Sequence, residues 1–149
     1  MKVFDEINIR LSQGKPFVCY AKPNENCWNL LLQNSNDSIS FSGQSGFVFL
    51  PFHAGEKVVI PFEGNAFFQG AFDNLTLKPV THFMGTEMNH KADFESLVAK
   101  GIAAIQKNEF DKVVLSRKMV VKQQLAILET FQNLILTYPT AFRYLFFHP

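Results

Sequence analysis

Between Pro16 and Pro79 the apolar residues come only in short runs broken by turn-forming residues, and this punctuation limits the possible folds more than any other feature of the chain. The runs are Phe17–Ala21, Cys27–Gln33, Ile39–Phe41, Gly46–Pro51, Lys57–Ile60 and Ala66–Gly70. Each is too short for an ordinary helix and suits a strand. The intervening stretches, Asn34-Ser35-Asn36-Asp37-Ser38, Ser42-Gly43-Gln44-Ser45-Gly46 and His53-Ala54-Gly55-Glu56, are rich in residues that tolerate positive φ or bond to their own backbone. An antiparallel meander is the expectation. The Ser42–Gly46 loop lacks the Gly-x-x-x-x-Gly-Lys-Ser/Thr spacing of a phosphate cradle and reads as a turn. Trp28, the one tryptophan, lies in an apolar run and reads as core or inter-sheet packing rather than a binding platform.

Helical periodicity brackets this region. Val3, Phe4, Ile7 and Leu11 recur at spacings of three and four, and Gly14 and Pro16 close the pattern, so a helix is expected over residues 2–13. Leu75 to Met88 is poorly patterned and reads as a linker. Beyond it Phe94, Leu97, Val98, Ile102 and Ile105 form a helical stripe ending at Lys107. Gly101 sits on or beside that stripe, at a cost of about 1 kcal/mol against alanine unless close packing requires it. A further stripe, Ile127, Leu128, Phe131, Leu134 and Ile135, has to stop near Tyr138 because Pro139 disfavours helix in the residue before it. Ala141 to Phe147 reads as a strand. The organisation expected is a strand-rich part over residues 1–79 and a helix-strand-helix-strand part over 80–149, giving an α+β fold of large antiparallel or mixed sheets packed together with helices outside.

The strand between the last two helices carries the chemistry. In Phe110-Asp111-Lys112-Val113-Val114-Leu115-Ser116-Arg117-Lys118-Met119-Val120-Val121 the β-branched block predicts an interior strand. With a period of two, Lys112, Val114 and Ser116 share one face, and Val113, Leu115 and Arg117 the other. An amine acts as a general base only when neutral, and at the ordinary lysine pKa of about 10.4 roughly one in 2,500 is neutral at pH 7. Burial or nearby positive charge would raise that fraction. Spacing alone favours the plainer reading, in which Lys112 caps a strand end with its ammonium in water.

Lys-Val-Val-Leu-Ser-Arg at 112–117, preceded by a helix and followed by Phe131 and the run Tyr138-Pro139-Thr140-Ala141-Phe142-Arg143-Tyr144-Leu145-Phe146-Phe147-His148-Pro149, resembles the chorismate-binding enzymes, most closely the isochorismate synthases. The resemblance implies two large packed sheets with helices outside. It also implies that Lys112 activates the water attacking C2 of chorismate, while a glutamate protonates the departing C4 hydroxyl and other glutamates hold Mg²⁺. Only the lysine carries over. The family's Gly-Ala-Thr-Pro-Glu segment, its acid, its metal ligands and its carboxylate-binding arginine have no counterpart in these 149 residues. The chain is therefore expected to be an N-terminal portion, inactive alone, with an exposed face open to self-association. Salicylate synthase is the alternative. Anthranilate synthases replace the lysine, and aminodeoxychorismate synthases keep it as a nucleophile. A folded module without catalysis is the alternative of another class.

Composition excludes other roles. With 47% hydrophobic and 18% charged residues the chain is neither a disordered tail nor a nucleic-acid-binding arm, and a net charge of +1 provides no field to gather polyanions. Seventeen phenylalanines, several in pairs, suit packed sheets. Cys19 and Cys27 match no zinc or redox spacing and read as reduced, buried thiols. His82 and His90 lack partners at metal-ligand spacing, and His53 and His148 are isolated, so no metal site is expected within the chain. No secretory signal opens the sequence and no run approaches a membrane span, which points to a cytoplasmic protein without membrane or nucleic-acid partners.

Overall fold

The computed structural model describes residues 2–55, 57–79, 91–116 and 126–149. The chain divides into two compact units, Met1–Pro79 with Leu125–Pro149, and Val80–Gln124. The first unit holds helix α1 (Val3–Gln13), strands β1 (Phe17–Ala21), β2 (Cys27–Leu32), β3 (Gly46–Phe49), β4 (Val58–Pro61) and β5 (Ala66–Ala71), helix α3 (Ile127–Thr137) and strand β6 (Arg143–Phe147); the second holds helix α2 (Lys91–Gln106). This is an α+β architecture with antiparallel sheets.

The strands do not run as one meander. A four-stranded antiparallel sheet has the order β5-β2-β1-β6, and β3 and β4 leave it to form a two-stranded sheet of their own. Alternation along β1 explains the layering. Phe17, Cys19 and Ala21 point to one face, where Trp28, Leu30 and Leu32 of β2 join them under Val3 and Ile7 of α1 and Phe131 and Ile135 of α3. Val18 points to the other face, packed with Leu31 of β2 and Ile60 of β4. Phe47 and Phe49 of β3 lie against Phe146 of β6, with ring centroids 5.5 and 4.8 Å apart. Helices therefore cover one face and the small sheet the other, which is why β1 and β2 read as nearly unbroken apolar runs.

The helix expectations hold. α1 ends in Gly14 at φ 61°, with the Gly14 and Lys15 amides donating to Leu11 and Arg10 carbonyls, the two bonds of a Schellman close. Trp28 is core, as read from sequence, and its Nε1 donates to the Ala71 carbonyl at 3.0 Å. Directly across the ladder stands Gly70, where a Cβ would fall 2.5 Å from the indole.

Two expected strands differ. Ile39–Phe41 forms none, because the Gln44 side chain closes the loop on itself: its Oε1 accepts from the Ser42 amide at 2.6 Å and its Nε2 donates to the Ser40 carbonyl at 2.8 Å, taking backbone groups that a ladder would need. Residues 110–116 likewise carry no strand. A ladder needs a neighbour, and among the described residues of its unit this segment meets only a helix. Residues 117–121 of that expected strand lie outside the described residues, as does most of the expected linker. Thr76 and Lys78, at the linker's start, are held by α3: Gln132 donates to the Thr76 carbonyl, and Asn133 bonds both the amide and the carbonyl of Lys78.

Candidate functional site

α2 and the segment after it set the position of Lys112. The helix is closed by Asn108 at φ 57°, with the Asn108 amide donating to Ile105 and the Glu109 amide to Ala104, the same Schellman pair that ends α1. Asparagine tolerates this left-handed conformation better than most side chains. The reversal brings the chain back along the helix. Val113 and Leu115 then lie against Gly101, where an added Cβ would be 3.2 Å from Val113 Cγ1 and 3.3 Å from Leu115 Cδ1. Val114, between them, is 85% exposed. The alternation read from the sequence is thus present without a strand ladder. Val113 and Leu115 lie beside Gly101, Val113 still 39% exposed, while Lys112, Val114 and Ser116 are exposed with no such contact to that glycine.

The burial that would raise the neutral fraction of the lysine amine is not found. Lys112 is exposed, in line with the other reading its spacing allowed. α2 itself buries none of its residues, and Leu97, Ile102 and Ile105 remain exposed on it. Nor do the described residues fit a magnesium ion, since no three of their His, Cys, Asp or Glu side chains stand close enough to hold one. His82 and His90 lie outside the described residues. His53 is exposed with its ring edge-on to Phe52, and His148 is half-buried with Nδ1 3.3 Å from the Pro149 carbonyl.

The first unit offers a different cavity, of about 160 Å³, between α3 and β6, lined by Ile127, Thr130, Phe131, Leu134, Tyr144 and Leu145. It contains no cationic side chain, so nothing there would recognise a dicarboxylate. Among the described residues the one deeply buried cation is Arg143, 3% exposed at the start of β6. Its guanidinium donates to four carbonyls: Lys22 at 2.7 Å, Ala141 at 3.0 Å, Ile135 at 3.1 Å and Glu25 at 3.2 Å. All its donor nitrogens are committed to backbone, so it ties the end of α3 and the β1–β2 turn to β6. Sequence reading missed this role. The signal available was an arginine placed on the core-facing register of an apolar strand, opposite Ala21.

Both cysteines are free. Cys19 is buried, and burial pushes its thiol up to about 12. Cys27, only half-buried, departs from the reading of two buried thiols; it donates to Glu25 Oε2 at 3.3 Å, and desolvation, then that carboxylate, raise its thiol.

The family model described as chorismate binding enzyme matches residues 64–148, more than half of the chain. The chain belongs to the chorismate-binding enzymes. The match spans the unit that carries Lys112 as well as α3 and β6. No curated protein and no solved structure matched the chain. Among the described residues of this chorismate-binding chain no helix is long and apolar enough to cross a membrane.

Proposed function

We propose that this chain carries the general-base side of an isochorismate synthase, with Lys112 as the base. The reaction adds water at C2 of chorismate and expels the C4 hydroxyl. The O–C2 bond forms as the ring double bonds shift and the C4–O bond breaks; the water proton passes to the Lys112 amine, and the leaving hydroxyl takes a proton from an acid elsewhere. The observation that carries the reading is the Lys112–Ser116 segment, whose sequence is the family's lysine motif and whose alternation turns Lys112, Val114 and Ser116 away from α2. An exposed face of this kind gains a desolvated amine only when another polypeptide surface covers it. Magnesium would be held by that other surface. Taken alone, the chain is a folded module. Salicylate synthase shares the lysine and remains the alternative within the family.

The decisive assay compares two proteins. The chain alone, given chorismate and Mg²⁺, should form no isochorismate. Joined to a polypeptide bearing the Gly-Ala-Thr-Pro-Glu segment, it should turn chorismate over, and Lys112→Ala should lower kcat by roughly 10² to 10⁴, the usual contribution of a general base. Lys112→Arg should fail as well, because a guanidinium holds its proton far above neutral pH. Near-normal turnover by the arginine variant would reduce Lys112 to a cation; salicylate as product would move the assignment to the alternative. Self-association of the chain would use the β6 edge, which pairs only with β1 among the described residues and is flanked by exposed Phe142 and Tyr144. Sedimentation velocity showing a monomer at all concentrations would dismiss it.

A further inference from the structure

We propose that Gly101 is a positioning residue for the lysine segment: by carrying no side chain it lets Val113 and Leu115 seat against the backbone of α2, and so fixes the face on which Lys112, Val114 and Ser116 stand. The inference rests on the reading of Lys112 as base and adds a residue that never touches substrate.

A glycine in the middle of a sixteen-residue helix costs about 1 kcal/mol relative to alanine and needs a reason. Three other glycines, Gly14, Gly43 and Gly64, have positive φ and open space around the missing Cβ, so their backbone conformation accounts for them. Gly101 is the reverse case. Its backbone is ordinary helix, and what a side chain would meet is Val113 Cγ1 at 3.2 Å and the two Leu115 methyls at 3.3 and 3.9 Å. Such spacing is tighter than side-chain contacts normally are, so even a methyl requires these side chains to give by a few tenths of an ångström, and a larger residue pushes the segment further. Asn108 reverses the chain at one end of this contact and Gly101 receives it at the other. Register follows, because seating 113 and 115 leaves 112, 114 and 116 on the opposite face. A displacement of about 1 Å at a reacting group is enough to cost on the order of 10²-fold in rate.

The test separates position from stability. In this chain, nuclear Overhauser contacts from the Gly101 α-protons to the Val113 and Leu115 methyls should be strong; their absence would overturn the proposal. In the joined protein, Gly101→Val should lower kcat by roughly 10- to 100-fold with KM within about threefold, and Leu115→Ala in the same background should recover most of the loss by making room. Failure of the trimmed partner to rescue, or unchanged kcat in Gly101→Val, would refute a positioning role. Where Gly101→Val does not fold by circular dichroism, Gly101→Ala serves with the same partner: alanine should stabilise the helix while lowering kcat, whereas a merely structural glycine would show both quantities moving together. Lys112→Arg is run in parallel. Its retention of activity would sink the base reading, while the proton contacts and the rescue judge Gly101 independently.

Discussion

Arg143→Met is the substitution whose effect the structure determines most directly. The wild-type guanidinium is buried and makes four hydrogen bonds to carbonyls that come from the β1–β2 turn, the last turn of α3 and the Thr140–Ala141 bend. Ile135 is a helix C-terminal residue whose carbonyl has lost its intrahelical donor, and a cation there also meets the negative end of the helix dipole. Methionine keeps the length of the side chain and removes every donor. Bonds from a charged donor contribute about 1.5–3 kcal/mol each, but removing the guanidinium also relieves its own desolvation, so the four do not add. Each buried carbonyl left without its donor costs about 1–3 kcal/mol, and with part of the four reached by water we expect a total of about 3–5 kcal/mol. Against a total of about 5–15 kcal/mol for a domain this leaves little reserve. Urea unfolding at pH 7, followed by the fluorescence of Trp28, measures it, since that indole is buried in the same core. Arg143→Lys is the informative companion. It keeps the charge, but three donors on one nitrogen cannot span carbonyls on three segments, so it should recover less than half of the loss. A methionine variant within 1 kcal/mol of wild type, or a lysine variant equal to it, would refute the view of Arg143 as a tie between segments.

Gly70→Ala should destabilise the first unit by about 1–3 kcal/mol, because its Cβ would overlap the Trp28 ring across the β2–β5 ladder; the urea midpoint and the Trp28 emission maximum should both shift, and an unchanged spectrum would contradict the close contact. Stability should also fall at alkaline pH. The Cys19 thiol ionises near 9.0 when exposed and only at about 12 when folded, so the contribution from keeping it protonated is complete below pH 9 and is lost as pH rises towards 12, by up to about 1.4 kcal/mol per unit. Tyr20, raised by burial and then by Glu25, adds to the same trend. Cys19→Ala should flatten the dependence of the urea midpoint on pH between 9 and 11, and an identical slope in the variant would assign the effect elsewhere.

The elements that the sequence disclosed are those whose own pattern decides them. The stripes of α1 and α3 and the capping Gly14 are local signals, and each produces the helix it predicts. Strand content was legible for the same reason, since runs such as Val58–Pro61 are short, apolar and bounded by turns. Pairing was not. Whether β3 continues the sheet or leaves it depends on Phe47 and Phe49 finding Tyr144 and Phe146, almost a hundred residues away in sequence. The loss of Ile39–Phe41 turns on one glutamine side chain, which periodicity does not register. Lys112 was visible as chemistry because its motif is; its exposure was not, because a strand of that composition implies burial only if some other segment pairs with it.

That last point links the energetics of the second unit to its chemistry. Keeping an amine neutral at pH 7 against a normal preference for the ammonium requires about 4 kcal/mol for a three-unit shift. The described part of this unit leaves Val114, Ile102, Leu97 and Ile105 exposed, and covering a side chain of that size fully is favourable by about 1.5–3 kcal/mol. Val114 is 85% exposed but the other three only 37–51%, so completing the burial of all four is what brings the gain to the order of the cost of stripping water from one neighbouring lysine. A polypeptide surface that closed over Val114 would desolvate Lys112 in the same step, because both stand on the face that Gly101 turns away from the helix. The apolar exposure and the exposed amine thus favour the same event, since a surface that covers the one would strip water from the other.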